Sequence, residues 1–565
     1  MSASVNLRSL DQDNALTGNP DHVLQVLRKQ RYLYMIGLWL AVAAYCWLGA
    51  KNLTLPGLHY DEVIQVPASV HLLKGDSNST HKYFESINIA GRAFPVMTMP
   101  YMGSLETYLY AFIFSILGIN VEAFRLINIF LAVLALLLTS HFAKTFFGPL
   151  EAVVGTWLLA TDPSFILLSR MDWGPFLLSM ILRLGALVCF WHWWKSGGKM
   201  FPLCLAGAAM GLGIYDKTNF LWFVVAMLVF GTIAWLISKE RPKVNFSAFL
   251  MALVVGITTS LPLWIYNLTH HWETFRMAVL PGQTISLVKL LEQVPTRTEV
   301  LLAMLNSEIF SSEILQGLAP VHWGIVGTLM LWLSVIALLV LLFVGCLTRC
   351  WKLLLLPMLT LLIIGQIYLT PRPVWVHHWI GIYPFTHVAV GVMAKRLWIS
   401  LKINGLWKKI ALCGGALVIF VALCFNVMTM LGYQRMMVEN GGKGYWSDAI
   451  YGLAETLKGQ YAGRQIHLMD WGIGNQLVLL SSGDLRLRET FWSYTSSSQP
   501  DNELLTFVRD PANVFLLHAP ATTAFPTARD AFYEAVHQAG GTVRTERKFY
   551  DRRNGEIFSL IELAP

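Results

Sequence analysis

Charged residues are scarce in this sequence, since only 13% of its 565 residues are Asp, Glu, Lys or Arg. Roughly a quarter of the residues in a soluble protein are charged. Hydrophobic residues make up 55% of the chain, and its 21 Trp, 31 Phe and 19 Tyr residues are typical of proteins with membrane–water interfaces. The composition therefore excludes an ordinary soluble enzyme and predicts an integral membrane protein.

Cysteine is also sparse, and none of the seven cysteines follows Cys424. All seven lie in or beside apolar segments, so a disulfide framework in the polar C-terminal region is not expected. The N-terminus is polar for roughly thirty residues before the first apolar run, which argues against a cleaved signal peptide. We interpret that first run as a retained membrane anchor.

Long apolar runs are abundant. Because a helix needs about 20 apolar residues to cross a bilayer, the sequence predicts a polytopic α-helical membrane protein with about eleven transmembrane helices. The candidate spans are Tyr32–Leu48, Ala123–Phe142, Pro149–Leu159, Gly174–Trp194, Phe201–Ile214, Phe220–Ile237, Phe246–Leu268, Gly324–Leu347, Leu353–Leu369, His377–Val392 and Ile410–Leu431.

The net charge of +8 indicates orientation rather than nucleic-acid binding, because lysines and arginines concentrate in alternate short loops. This pattern places an N-terminal segment, residues 1–31, in the cytoplasm. With an odd number of spans in a membrane domain of residues 32–432, the C-terminal end lies outside. Two long outer loops are expected, at residues 51–108 and 269–323, and the second contains apolar periodicities typical of helices that lie on the membrane, at Ile285–Leu291 and Val300–Ile314.

The composition becomes polar near residue 441, which predicts a small soluble α/β domain over residues 441–565. The expected strands are Gln465–Met469, Val514–Leu517 and Ile557–Leu563, and the expected helices are Ser447–Leu457 and Thr527–Gln538. The short Gly472-Ile473-Gly474 run is interpreted as a turn, since it is too short for a dinucleotide-binding fingerprint.

Polar residues beside the bilayer are candidates for function, because placing them there is costly. His59-Tyr60-Asp61-Glu62 follows the first span, and its acids suit either a general base or the start of a helix. Arg170 and Asp172 precede the fourth span, where Asp172 is either a helix cap or a catalytic acid.

Cations at the same face suit an anionic ligand. Lys217 ends the fifth span and either binds phosphate or snorkels to the interface. Arg372, His377 and His378 precede or begin the tenth span, and the histidines suit a phosphate or a metal. Adjacent histidines do not share a helix face, so their spacing does not support a metal site. Arg183 lies within the fourth span and is expected to pair with a neighbouring group rather than to bind substrate.

An Asp-Glu pair soon after the first span, here in Tyr60-Asp61-Glu62, resembles the first-loop motif of the GT-C superfamily of membrane glycosyltransferases. The most similar branch is that of the protein O-mannosyltransferases and the lipid A aminoarabinose transferase, of the family 39 type. Two further stretches resemble family features: Leu159 to Asp172, an acidic stretch, and Gly211-Leu212-Gly213, an approach to a phosphate-side lysine at Lys217. The chain departs from the family at Tyr383-Pro384, where members often carry an Arg-Tyr-Leu-Leu-Pro-like stretch.

The resemblance implies an inverting transfer from a polyprenyl-phosphate sugar to a hydroxyl of a lipid, glycan or protein, on the side opposite the cytoplasm. It carries Asp61 over as the general base. We expect Glu62 and Asp172 beside it, with Arg170, His59 and Tyr60 in the surrounding site. The residues expected to hold the donor phosphate are Lys217, Arg372, His377 and His378. No cofactor is assigned, and a divalent metal is left open although ligand spacing does not support one.

The expected setting is a bacterial inner membrane with a periplasmic C-terminal domain, membrane lipids as partners and no nucleic acid. The alternative from another class is a transporter or flippase for a lipid or a lipid-linked sugar. A weaker third interpretation is a sensor or assembly scaffold that uses the soluble domain for binding.

Overall fold

The computed structural model describes residues 20–75, 85–243, 245–278, 287–310, 314–315, 328–400 and 405–564. Helices dominate these ranges. The first helices are α1 Pro20–Ala50, α2 Val66–Lys74, α3 Leu105–Leu117, α4 Val121–Phe146, α5 Pro149–Thr161, α6 Pro163–Met171, α7 Leu177–Lys195, α8 Met200–Asp216, α9 Leu221–Ile237, α10 Phe246–Thr259, α11 Leu261–Thr269 and α12 Glu273–Ala278.

The remaining helices continue through the second long loop, the last spans and the C-terminal domain. They are α13 Leu287–Glu292, α14 Val294–Leu305, α15 Leu329–Thr348, α16 Trp351–Leu369, α17 Val376–Trp379, α18 Phe385–Ser400, α19 Leu406–Asn440, α20 Ala449–Gln460, α21 Gly474–Leu480, α22 Asn502–Arg509 and α23 Pro526–Gln538. The predicted periodicities at Ile285–Leu291 and Val300–Ile314 fall on α13 and α14 only in part, and residues 285–286 and 311–313 lie outside the described ranges.

Seven helices of the described chain are long and apolar enough to cross a bilayer, or up to nine if each of two bent helix pairs is one span. The fold class of a polytopic helical membrane protein is therefore confirmed, but the count is below the eleven expected. Two predicted spans correspond to shorter helices, since α8 has 17 residues and α18 has 16. The start of the predicted span Gly324–Leu347 lies outside the described residues.

The two bent pairs are α5 with α6, at 66°, and α10 with α11, at 62°. The first bend lies at Asp162-Pro163. Asp162 ends α5 and its carboxylate accepts a hydrogen bond of 2.9 Å from the amide of Phe165 in α6. Proline has no amide proton, so Pro163 is suited to begin a new helix at this point.

The predicted tenth span, His377–Val392, is wrong as a continuous helix. The chain forms the short helix α17, a 3-10 turn at Ile380–Ile382, and then α18, which starts after Pro384. Proline removes a backbone donor and its ring clashes with the preceding turn, so the helix breaks before it. His377 and His378 are therefore presented by a short separate helix.

Helices α5 and α18 lie close together in the buried centre of the membrane domain. A side chain at Gly155 would meet the Cα of Val388 at 3.0 Å, and one at Gly391 would meet the carbonyl of Glu151 at 2.6 Å. These glycines let the two backbones approach, as small residues commonly do between membrane helices. The carboxylate of Glu151 also pairs with Lys395 at 2.8 Å.

The first long loop, after α1, contains a small antiparallel sheet that the sequence did not predict. Its strands are β1 Glu85–Ile89, β2 Arg92–Met99 and β3 Met102–Gly103, in the order β1-β2-β3. Met102 also forms an isolated antiparallel bridge with Lys217. The sheet thereby fixes the backbone at the outer end of α8.

The C-terminal domain is a five-stranded sheet with helices against it. Its strands are β4 Gln465–Leu468, β5 Arg486–Glu489, β6 Val514–His518, β7 Val543–Tyr550 and β8 Glu556–Leu563, in the order β5-β4-β6-β8-β7. Strands β5, β4 and β6 run parallel, and β8 and β7 continue the sheet antiparallel. The small C-terminal α/β region expected from the sequence is confirmed.

One buried cluster joins the C-terminal domain to the first outer loop. It contains Val63, Val66 and Phe124 from the membrane domain together with Ile450 and Leu477 from the C-terminal domain. Burial of apolar surface in a shared cluster stabilises the contact between the two parts. The C-terminal domain is thus seated on the segment that carries the Tyr60-Asp61-Glu62 motif.

Candidate active site

Glu62 lies in a fully buried ion pair with Arg125 of α4. The Arg125 Nε and Nη2 atoms donate to the two carboxylate oxygens of Glu62 at 2.7 and 3.0 Å. The amide of His59 also donates to Glu62 at 3.1 Å. Both oxygens are therefore occupied, and Glu62 holds the loop in place rather than facing a substrate space.

Asp61 differs from Glu62 in that its side chain is only half-buried. Its backbone amide donates to Nδ1 of His59 at 3.2 Å. Burial raises the pKa of Asp61 to about 6, and this rise is opposed by the nearby Lys217 ammonium and by the Trp173 indole. Burial also lowers the pKa of His59 to about 3, so His59 is neutral at neutral pH. Asp61 is ionised at neutral pH yet takes up a proton readily, as a general base must.

Lys217 lies among several carboxylates. Its Nζ donates to the carbonyl of Gly174 at 2.6 Å. Burial lowers the pKa of Lys217, whereas the carboxylates around it have the opposite effect. Those carboxylates belong to Asp61, Asp216, Asp172 and Glu106.

Asp172 caps the following helix, which is one of the two roles that the sequence left open. Its Oδ1 accepts hydrogen bonds from the amides of Phe176 and Leu177, at 2.9 and 3.1 Å, and so caps the start of α7. Its carboxyl group also forms a side-chain hydrogen bond with Glu106 and belongs to the acidic group around Lys217. Burial raises the pKa of Asp172.

Glu106 was not predicted to belong to the site. It is fully buried in the first turn of α3, and its carboxyl group forms a side-chain hydrogen bond with that of Asp172. An acid in the first turn of a helix is ordinary because it complements the helix dipole, so the sequence carried no distinguishing signal. Asp216, which precedes Lys217, was not predicted either, and its Oδ2 accepts a hydrogen bond of 3.5 Å from Ser179.

A cavity bordered by Pro175 of the Asp172–Pro175 turn lies between α7, α9 and α16. Its polar lining residues are Ser179, Arg183, Asn219, His377 and His378. The rings of His377 and His378 are 4.2 Å apart, and Nδ1 of His377 has no hydrogen-bond partner among the described residues. A cation and two imidazoles therefore face one small space.

Arg183 is the cation of this cavity and is only 5% exposed. It donates to the carbonyls of Gly381 and Ser179, and it forms no ion pair within the described ranges. Arg183 was expected to pair with a neighbouring group. The structure gives it such partners, but they are backbone carbonyls and not a carboxylate. A buried guanidinium without a carboxylate partner is costly, so an anion in the cavity would stabilise it.

Two other predicted cations lie elsewhere. Arg170 is fully buried and donates to the carbonyls of Lys51, at 3.0 Å, and of Leu55, so it fastens the end of α1. Arg372 does not line the cavity, and its carbonyl accepts a hydrogen bond of 2.9 Å from Arg297. The structure thus brings His377 and His378 together with Arg183 in the cavity lining, which does not include Arg372.

No group of three or more His, Cys, Asp or Glu side chains suited to a metal ion occurs within the described ranges. The carboxylates near Asp61 share the Lys217 ammonium, which already supplies positive charge to them. We therefore assign no metal ligands.

Comparison with solved structures relates this architecture to known folds. ArnT from Cupriavidus metallidurans bound to undecaprenyl phosphate gives a TM-score of 0.56 at 13% sequence identity, over 93% of this chain and 97% of that chain. The archaeal oligosaccharyltransferase AglB from Archaeoglobus fulgidus, in complex with an inhibitory peptide and a dolichol-phosphate, gives 0.53 at 11% identity, over 91% and 73%. Both are GT-C proteins. This chain has the GT-C fold.

The GT-C fold expected from the first-loop motif is thus confirmed, while the narrower family 39 branch stays a prediction. No family model matches the sequence, and no curated protein is similar to it by sequence. At this level of identity the likeness concerns the fold, so the chemistry of this GT-C chain must be argued from its own residues.

Proposed function

We propose that this protein is a glycosyltransferase that moves a sugar from a polyprenyl-phosphate donor to a hydroxyl acceptor. The observation that carries the proposal is a half-buried acid, Asp61, close to Trp173 of the Asp172–Pro175 turn, together with a cavity that this turn borders and that Arg183 lines, in a GT-C fold. That arrangement provides a base for the acceptor and, for the donor phosphate, one cation and two imidazoles beside the Asp172–Pro175 turn.

The proposed reaction is a single displacement. The acceptor oxygen attacks the anomeric carbon, its proton passes to the carboxylate of Asp61, and the bond between the anomeric carbon and the phosphate oxygen breaks. The bonding electrons leave with the phosphate, so the configuration at the anomeric carbon inverts. Arg183, His377 and His378 would hold the departing polyprenyl phosphate, since donors aimed at developing charge are most effective in a site that excludes water.

This assignment changes the phosphate ligands proposed from the sequence. Arg183 replaces Arg372, which does not line the cavity. Lys217 is held by the carbonyl of Gly174 and by the surrounding carboxylates, so we place it beside Asp61 as the charge that keeps the carboxylate ionised. Glu62 becomes a supporting residue through its pair with Arg125.

Asp61 is favoured as the base because its side chain is partly exposed. The neighbouring acids, Glu62, Glu106, Asp172 and Asp216, are buried. An acceptor hydroxyl has to reach the base. We further propose that the site faces the periplasm of a bacterial inner membrane and that the acceptor belongs to a lipid, glycan or protein.

The test is a transfer assay with the purified full-length protein. The probes are undecaprenyl-phosphate hexoses and pentoses, radiolabelled in the sugar, with membrane lipids, glycans and proteins as acceptors. We expect Asp61→Asn to lower transfer by at least about 100-fold, which is typical for loss of a general base. Asp484→Asn is the matched control, because that side chain is 71% exposed and pairs with Lys74.

Full transfer by Asp61→Asn would exclude Asp61 as the base. The alternative of a lipid-linked-sugar flippase predicts a different result, namely that the wild-type protein binds undecaprenyl phosphate but transfers no sugar from any of these donors. A scaffold predicts neither binding nor transfer.

A further inference from the structure

The C-terminal domain holds the residues that immediately precede Asp61. The side-chain amide of Asn475 donates to the carbonyl of Tyr60 at 3.2 Å, and that of Gln476 donates to the carbonyl of Leu58 at 3.4 Å. Both amides are almost fully buried and lie in α21, at the seat of the domain on the outer loop. The backbone before Asp61 is thus fixed from the C-terminal side.

Glu489 connects the same loop to the sheet of the C-terminal domain. The hydroxyl of Tyr60 donates to Oε1 of Glu489 at 2.9 Å, and Nε1 of Trp492 donates to Oε2 at 2.8 Å. Glu489 is the last residue of β5, and no ion pair to it occurs in the described part of the chain. Its carboxylate is therefore occupied by two neutral donors, one on each side of the domain boundary.

Gly474 has no side chain, which leaves room for the carboxylate of Glu489. A Cβ atom at Gly474 would lie 2.9 Å from Oε1 of Glu489, the same oxygen that accepts from Tyr60. The ring of Tyr60 also lies 5.0 Å from that of Trp471, which belongs to the loop before α21. The Gly472-Ile473-Gly474 turn therefore also leaves room for the hydrogen bond between Tyr60 and Glu489.

His59 is held in a similar way. Its ring stacks on Trp446 with centroids 4.4 Å apart and planes at 23°, and its Nδ1 accepts the amide proton of Asp61. Trp446 belongs to the 3-10 turn that leads from α19 into the C-terminal domain. Tyr60 and His59 are therefore fixed by C-terminal residues, while Glu62 is fixed by Arg125.

We infer that Glu489 is a positioning residue of the active site, which sets the direction of the Asp61 carboxylate through its hydrogen bond with the Tyr60 hydroxyl. The inference rests on the proposed role of Asp61. It makes the C-terminal domain a required part of the transferase rather than an independent binding module. A well-directed base is needed in the transition state, so loss of the contact lowers kcat more than it raises KM for the donor.

The test is a double-mutant cycle in the full-length protein with Tyr60→Phe and Glu489→Ala, assayed with the radiolabelled undecaprenyl-phosphate sugars described above. Each single variant is expected to lower kcat by about tenfold, the size expected for a hydrogen bond to a charged group. The double variant is expected to be no slower than the slower single variant, because both remove one interaction. Glu489→Gln keeps an oxygen acceptor and should recover most of the rate.

Two further readouts separate positioning from a general loss of structure. Looser packing admits water to Asp61, so the acid limb of the pH–rate profile should move to lower pH in Glu489→Ala. Hydrogen–deuterium exchange of a peptide spanning residues 57–63 should become faster in Tyr60→Phe and Glu489→Ala, and it can be measured without any substrate. Glu503→Ala is the matched control, since that side chain lies in the same domain and is 54% exposed.

The positioning role would be overturned if the losses of kcat in the two single variants multiplied in the double variant. It would also be overturned if hydrogen–deuterium exchange of residues 57–63 were unchanged in Glu489→Ala. These results are distinct from failure of the proposed function. If Asp61→Asn were active, the proposed role of Asp61 as the base would be wrong. If Asp61→Asn were inactive but Glu489→Ala fully active, only the inference about Glu489 would be wrong.

Discussion

The ammonium of Lys217 donates a hydrogen bond of 2.6 Å to the carbonyl of Gly174. The ring of His377 lies against the Cα side of the same glycine, where a Cβ would come within 2.4 Å of the ring. Gly174 therefore lies between Lys217, with its surrounding carboxylates, and His377 of the cavity. The two parts of the site are separated by the thickness of this one residue. The proposed reaction requires this closeness, because base and leaving group act on one sugar.

Gly174→Ala should weaken donor binding. Gly174 has φ of +69°, a conformation that costs other residues free energy, and the added methyl would displace His377. We expect a loss of unfolding free energy of about 1–3 kcal/mol and about tenfold weaker binding of undecaprenyl phosphate. Binding is measured by intrinsic tryptophan fluorescence. Gly452→Ala, in a helix with open space around it, is the control and should bind normally.

Arg183→Ala should weaken undecaprenyl phosphate binding by about tenfold or more, since it removes a buried charge that faces the cavity. Arg183→Lys should recover part of the affinity, because it keeps the charge but loses the planar donor geometry. Arg435→Ala, whose side chain is 83% exposed, is the control. Wild-type affinity in Arg183→Ala would show that the phosphate binds elsewhere.

Lys217→Met should make stability fall more steeply with rising pH than in the wild type, where burial already raises the pKa values of the carboxyl groups around Lys217. Without the ammonium, the carboxylates of Asp61, Asp172, Asp216 and Glu106 bind protons more strongly in the folded than in the unfolded state. The unfolding free energy of the variant must then fall as pH rises. We expect its Tm in detergent to decrease between pH 5 and pH 8 relative to the wild type, and parallel curves would contradict the charge compensation.

The rate of transfer should depend on the ionisation of Asp61. Its pKa is raised to about 6 by burial, and the base is active only when deprotonated. The value of kcat/KM should therefore rise with pH through a midpoint of about 6 and then level off. A midpoint that does not move in Asp61→Glu, or a rate that falls between pH 5 and pH 7, would argue against this assignment.

Removal of one member of the Glu62–Arg125 pair should destabilise the protein. The pair is fully buried, so Arg125→Met leaves the Glu62 carboxylate without its charge partner. The expected loss is about 3–5 kcal/mol of unfolding free energy. A variant at Glu62 that kept wild-type stability but lost transfer would instead favour the catalytic role first predicted for Glu62.

The sequence predicted the class of this protein because hydropathy and charge are periodic over tens of residues. It also predicted β4, β6 and β8, which are largely buried, but not β5 and β7 at the edges of the sheet. In β7 nearly every residue is exposed, so the pattern of apolar residues that marks a buried strand is absent.

The site was predicted only in part, because sequence patterns show local features and not contacts between distant residues. Asp61, Lys217 and the two histidines were found because polar residues at span ends are conspicuous. Glu106 and Glu489 were not, since each is an unremarkable acid at the end of a helix or strand, and only the fold brings them near Lys217 and Tyr60. Contacts between residues 429 positions apart, such as Tyr60 with Glu489, leave no local signal.

The most direct test is the position of the lipid phosphate. We would determine the structure of the full-length protein with undecaprenyl phosphate by cryo-electron microscopy. The account predicts phosphate density in the cavity, bound by Arg183 and His377, with an open path across the Asp172–Pro175 turn to Asp61. Phosphate density remote from both Arg183 and Asp61, or a lipid in a groove that crosses the bilayer, would contradict it.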